Sequence, residues 1–196
     1  MSQNSVAGPQ RGKTYFQGQP APAAADYDKT AQIEGQSVIF SDTNETKEGA
    51  SLQTKNSGRE VHAVLVRNTS GAVIKGGEPC HWEDGKRGRR VDDTDAANGK
   101  TIAGYADHHY TSDIRIGDLF WLVVKGPTKV RGKITTNPAT TYTVNDVIKA
   151  STAKTGGIAT AENDASPGVY SNGIVDVTHT PVAGNDLVSV TLNISY

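Results

Sequence analysis

Apolar residues in this chain fall in short runs separated by polar, glycine-rich stretches. The most apolar run, Asp118–Lys125, predicts a central strand. Gly126-Pro127 predicts its end, because proline cannot donate to a ladder. Val61–Val66 is apolar on both faces, the pattern of a strand covered on both sides. A polar turn at Asn68–Gly71 follows, where Asn and Ser bond their own backbone and Gly71 supplies a positive φ. A second run, Ala72–Lys75, completes a hairpin-like unit that needs other strands to cover it. Ser37–Phe40, Thr101–Ala106, Asp146–Ala150 and Gly173–Thr178 predict further short strands, and Lys129–Ile134 one with a wet face.

The last run has strict period two. Val188, Val190, Leu192, Ile194 and Tyr196 share one face, and Ser189, Thr191, Asn193 and Ser195 the other. That register ties the C-terminus into a sheet. No stretch sustains a helical period, and only Thr143–Lys149 leaves room for a short helix. Asp42–Gly58 reads as a loop or weak hairpin, Glu78–Lys100 as a long, charged, exposed loop, and residues 151–173 as loop. About eight to ten short strands follow, which predicts an all-β body, an antiparallel β-barrel or β-sandwich.

Residues 1–32 differ from this body. They carry Pro9, Pro20 and Pro22, and Val6 is their only aliphatic β-branched residue. Such a segment buries too little apolar surface to offset its ordering entropy. The expected organisation is an extended N-terminal arm, 1–32, and a single β-domain, 33–196. Tyr15, Phe16 and Tyr27 stand out in the arm as aromatic anchors for a partner surface.

Composition narrows the partners. Lys plus Arg number 20 against 21 Asp plus Glu, so no global field draws the protein to nucleic acid or acidic lipid. No apolar run approaches a membrane span. The N-terminus lacks the basic start and apolar core of a secretory signal, which points to synthesis in a cytoplasm. Asn44-Glu45-Thr46 and Asn68-Thr69-Ser70 match the glycosylation triplet, without a signal to give it meaning.

Reactive constellations are sparse. Cys80, the single cysteine, excludes an internal disulfide framework and a multi-cysteine zinc site. Cys80-His81 and His108-His109 are ligand types, but neither pair has a known metal spacing, and neighbours on a strand point to opposite faces. No metal or other cofactor is expected. A Cys80 nucleophile would need a placed base, and His81 is badly situated for that role. Asp92, Asp93 and Asp95 alternate like a calcium loop but lack its glycine and closing glutamate. Arg87, Arg89 and Arg90, near Trp82, form a basic group whose neighbouring aspartates weaken attraction for phosphate. Contact with an acidic protein surface suits that group at least as well.

The order of motifs resembles the small capsid decoration (cement, head-stabilising) proteins of tailed bacteriophages. Val66–Gly71 with Ile74–Pro79 is similar to that family's opening strand, NxSG turn and following glycine unit. Ile102–Asp107 resembles its xxGxA element, and Ile116–Pro127 its GDxxxVxxxGP element. Val144–Ala150 is similar to the later xGDxLxA element, with Asn145 where glycine is usual. The likeness lies in the order and spacing of these motifs and runs through roughly 60–180.

The resemblance implies a non-enzymatic β-protein on the outer surface of the assembled virion head. It would bridge major capsid protein subunits, as a homotrimer, without nucleic-acid or membrane partners. Tyr15, Phe16, Tyr27, Arg87, Arg89 and Arg90 are the expected capsid-binding residues. The rival reading is a β-sandwich module that binds cell-surface carbohydrate through Trp82 and Tyr105.

Overall fold

The computed structural model of the chain describes residues 11–12, 14, 23–43, 56–93, 102–132, 141–150, 161–163, 172–182 and 186–194. Among the described residues there are ten strands, one 3₁₀ segment (Ala24–Ile33) and no α-helix. The strands are β1 Ser37–Thr43, β2 Asn56–Asn68, β3 Pro79–Trp82, β4 Arg90–Asp93 and β5 Ile102–Ala106. They continue with β6 Leu119–Arg131, β7 Val147–Ala150, β8 Ala161–Asn163, β9 Gly173–Val175 and β10 Leu187–Asn193. The all-β expectation holds at this level.

One sheet contains all ten, in the order β1-β2-β4-β3-β5-β6-β10-β9-β7-β8, with β2 also paired to β6. The sheet is mixed rather than purely antiparallel, because β4 lies parallel to the end of β2 through Arg67 and Asn68. The β2–β6 pairing makes a closed circuit of β2, β4, β3, β5 and β6. Their facing side chains, Val64, Val66, Cys80, Trp82, Val91, Phe120, Leu122 and Val124 among them, form one core cluster. A second circuit runs β6, β10, β9, β7, β8 and returns by a parallel bridge from Ala161 to Gly132, next to the end of β6. Val130, Tyr142, Ile148, Val175, Val188, Val190 and Leu192 form its core. A third cluster, Ala63, Leu65, Leu119 and Trp121, lies beneath Ile33, Val38 and Phe40.

β6 is thus the shared wall, as its hydrophobicity predicts. It pairs with β2, β5 and β10. It does not stop at Gly126-Pro127. Gly126 takes φ 95° and Pro127 faces Thr191 of β10 within the ladder. The register against β2 steps from His62–Lys125 to Ala63–Val123, leaving Val124 as an extra residue. Its carbonyl instead accepts the N–H of Ile194 at 3.0 Å. A bulge with a positive-φ glycine therefore carries the strand past its proline.

The predicted register of β10 is observed, with Val188, Val190 and Leu192 buried and Ile194 packed at the edge of the same core. Tyr196 lies outside the described residues.

Other expectations need correction. Ala72–Lys75 does not fold back on β2; Ile74 alone forms a bridge, to Ile114. The turn is made by side chains. Asn68 Oδ1 accepts from the N–H and hydroxyl of Ser70, and Asn68 Nδ2 donates to the carbonyls of Ala72 and Ile114. Gly71 is not among the positive-φ glycines. Over the described residues 78–93, the stretch expected to be an exposed loop is the β3–β4 hairpin, with Cys80, His81 and Trp82 buried. Asp92 and Asp93 pair with His81 and Cys80 in the register of that hairpin, and Asp95 lies outside the described residues. Thr143–Lys149 is a turn leading into β7, not a helix, and β8 lies within the stretch read as loop.

One turn recurs three times, before β3, β6 and β7. Its third residue has positive φ: Gly77 (82°), Gly117 (89°) and Asn145 (73°). The acid that follows, Glu78, Asp118 or Asp146, donates its N–H to the carbonyl three residues back. The Asp118 and Asp146 carboxylates also accept the N–H of Arg115 and Thr143. This is the positive φ that a type II turn demands at its third position. Ile116 and Val144 are exposed at the second position, whereas Gly76 there is forced: a Cβ would lie 2.6 Å from the Tyr110 carbonyl oxygen.

Candidate functional site

Two anchor points join the described N-terminal residues to the β-body. The first is built on Glu34, just past the 3₁₀ segment. Its side chain is wholly buried between β2 and the β3–β4 hairpin. Oε1 accepts from Nε of Arg67, which is also fully buried. Oε2 accepts from Nε of Arg90 at 3.1 Å and lies 3.4 Å from Nη2 of Arg89. Arg67 also donates to the Gly117 carbonyl at 2.7 Å. The Tyr27 ring covers both cations, 4.8 Å from the Arg67 guanidinium and 5.6 Å from that of Arg90. Such cation–π contacts strengthen when desolvated. Gly35 then takes φ 85° and donates its N–H to the Leu65 carbonyl. A buried carboxylate of this kind is stable only while its cations remain in place.

This network uses half of the expected capsid-binding set. Tyr27 and Arg90 are buried in it, so neither is an accessible surface anchor. Arg89 is half-exposed, and Arg87 is exposed. Tyr15 and Phe16 lie outside the described residues. Glu34 and Arg67, which complete the network, were not singled out by the sequence: Glu34 sits among polar residues, and the one clue was a charge directly after the apolar run Val61–Val66.

The second anchor is Arg11. It donates from Nε and Nη2 to the two carboxylate oxygens of Asp107, at 2.9 and 2.8 Å. The same carboxylate accepts from Nδ1 and the backbone N–H of His109 at 2.9 and 3.3 Å. Burial pushes the Asp107 pKa up, but the hydrogen bonds from His109 and Arg11 and the Arg11 charge outweigh it. The carboxyl is held well below the usual carboxylate range. His108 Nδ1 lies 3.1 Å from the Thr128 hydroxyl and 3.3 Å from the Lys129 N–H. Next to Arg11, Gly12 has φ 72°, and a Cβ there would lie 2.6 Å from the His109 carbonyl oxygen. A small cleft of about 50 Å³ adjoins it, lined by Gly12, Thr14, Tyr110, Asp113, Arg115 and Asp118.

Cys80 and His81 do not join the His108–His109 pair. Among the described residues, the one grouping of three metal-type ligands is Asp107, His108 and His109. Cys80 is buried, its thiol directed at the Glu78 carbonyl. Trp82 and Tyr105, the aromatics expected to face a sugar, are also buried. The Tyr105 hydroxyl meets Asn172 Oδ1 at 3.3 Å, and burial pushes its ionisation up.

No protein-family model and no curated protein matches this sequence.

Proposed function

We propose that the protein is a structural virion component that decorates the outside of a bacteriophage head and stabilises it by bridging major capsid protein subunits. The observation that carries the reading is the recurring turn. Three of the segments that resemble decoration proteins, Ile74–Pro79, Ile116–Pro127 and Val144–Ala150, contain the equivalent turns that lead into β3, β6 and β7, while Ile102–Asp107 falls on β5 and the turn after it. A turn repeated in the same place before three strands supports the reading of those three segments as one recurring motif. The two pairing circuits that share β6 are read as two small fused β-barrels.

Decoration would work by mass action: a protein that binds only the expanded shell stabilises that state. Repetition on a lattice adds avidity, and a homotrimer multiplies it. Cosedimentation with purified heads of the phage that encodes the protein tests this. Binding to expanded and not to immature heads is expected. Equal binding to both, or to neither, overturns the reading. Light scattering showing only monomer at micromolar concentration overturns the trimer.

A further inference from the structure

The loop after β5 gathers groups that neighbours on a strand would hold apart. Asp107, His108 and His109 occupy a turn, so consecutive side chains converge. One ligand-type atom from each lies within 4.8 Å of the others, and the two imidazole rings are 4.1 Å apart. The loop is firmly held. Trp121 accepts the Asp107 N–H at its carbonyl and donates its own N–H to the Tyr110 hydroxyl at 2.8 Å. One carboxylate and two imidazoles are the donor set that zinc, nickel and copper take.

The Asp107 side chain is wholly buried, and a buried carboxylate needs a cation. Arg11 supplies one, but imperfectly. Its side chain is only 10% exposed, yet its Nη1 is buried without a hydrogen-bond partner. An unmet buried donor costs free energy that a compact metal ion would not incur.

We propose that Asp107, His108 and His109 form a site for one divalent transition-metal ion of the zinc or nickel class, and that Arg11 is the tethered cation that fills it in the metal-free protein. To coordinate, His108 exchanges its hydrogen bonds with Thr128 and Lys129 at Nδ1 for the metal. His109 shifts its ring proton from Nδ1 to Nε2, and Asp107 releases Arg11. Metal binding and docking of Arg11 are therefore mutually exclusive. The site recognises an ion independently of the capsid.

The test uses tag-free full-length protein and the metals alone. Zn2+ and Ni2+ binding is measured by calorimetry, and Co2+ is followed by its visible absorption. Arg11→Gln should bind one ion per chain at least tenfold more tightly than the parent. Adding His108→Ala and His109→Ala to that variant should abolish binding, with thermal unfolding confirming that each variant is folded. In the unmodified protein, Zn2+ should accelerate trypsin cleavage after Arg11 by releasing the segment. The last measurement needs no variant and stands if a substitution prevents folding. Equal affinity for the parent and Arg11→Gln, binding that survives loss of both histidines, or cleavage indifferent to Zn2+ each overturn the proposal.

Discussion

Gly126 passes so close to Glu60 that a Cβ at position 126 would lie 2.0 Å from the Glu60 carbonyl oxygen. The contact is with backbone, so no side chain can swing aside. Gly126 also has φ 95°, which by itself costs an L-residue roughly 1–2 kcal/mol. Gly126→Ala should therefore lose more than ~3 kcal/mol in denaturant unfolding, a value reserved for severe backbone conflict. Gly85 has positive φ but nothing within 4 Å, so Gly85→Ala should cost about 1 kcal/mol. Gly71→Ala, in open space without positive φ, should stay within about 0.5 kcal/mol of the parent. Coincident unfolding midpoints for the three would refute the bulge that carries β6 past Pro127.

Asn145 has φ 73°, in the place that Gly77 and Gly117 hold in the other two copies of the turn. Asn tolerates this region better than other L-residues, and Gly best of all. Asn145→Gly should be neutral or stabilising, and Asn145→Ala should cost about 1 kcal/mol. Thermal unfolding of the pair checks this. Equal losses for both would mean that the turn lacks the geometry of its two counterparts.

Leu192 is buried in the second core, whereas Thr191 on the opposite face bonds the Asp176 carboxylate at 2.9 and 3.0 Å. Leu192→Ala should cost about 2–5 kcal/mol through the cavity left behind. Thr191→Ala should cost about 1 kcal/mol, the worth of a hydrogen bond to a charged group at a half-exposed site. Equal melting temperatures would overturn the register of β10.

What the sequence made legible was periodicity. The alternation from Val188 to Leu192 fixes which face is buried, and Asp118–Lys125 is apolar enough to require a central position. Illegible were features that depend on distant partners. Pro127 ends a ladder in isolation, but Gly126 and the displaced Val124 carbonyl let β10 continue beside it. Trp82 and Cys80 sit among charged residues, and only their pairing with β4 and β5 buries them. Glu34 and Arg67 lie 33 residues apart in sequence and meet only once the chain has folded. Asp107 was read as the end of a glycine motif, and its role emerges only when Arg11 arrives from the far end of the chain.

Acid should weaken the Arg11 anchor in a defined direction. The Asp107 carboxyl has a folded-state pKa held below its ordinary value of 3.8. A depressed carboxylate contributes stability above its unfolded pKa and loses it as pH falls through the folded one. The stability difference between the parent and Asp107→Asn should thus be largest above pH ~5 and shrink on acidification below about 4. A difference that stayed constant down to pH ~2 would mean that Asp107 carries no such linkage.

Truncation separates the part of the N-terminal region that stabilises the body from the part proposed to attach to the capsid. Residues 1–10 precede Arg11, and their removal should leave the melting temperature nearly unchanged. Removal of residues 1–32 also takes away Arg11, which holds Asp107, and Tyr27, which covers Arg67 and Arg90. It would leave a buried carboxylate without its cation and two guanidiniums uncovered. That loss should exceed ~2 kcal/mol, or roughly 4–8 °C for a domain of this size. A deletion to 32 therefore cannot measure attachment alone. The cleaner variant is Tyr15→Ala with Phe16→Ala in the full chain, between the two anchors. Its melting temperature should match the parent while cosedimentation with expanded heads falls at least tenfold, since aromatic anchors commonly carry more than ~1 kcal/mol each. If the double variant binds heads as tightly as the parent, attachment does not run through these aromatics. The basic rim of the β3–β4 hairpin, exposed Arg87 and half-exposed Arg89, would then be the surface to reverse in charge next.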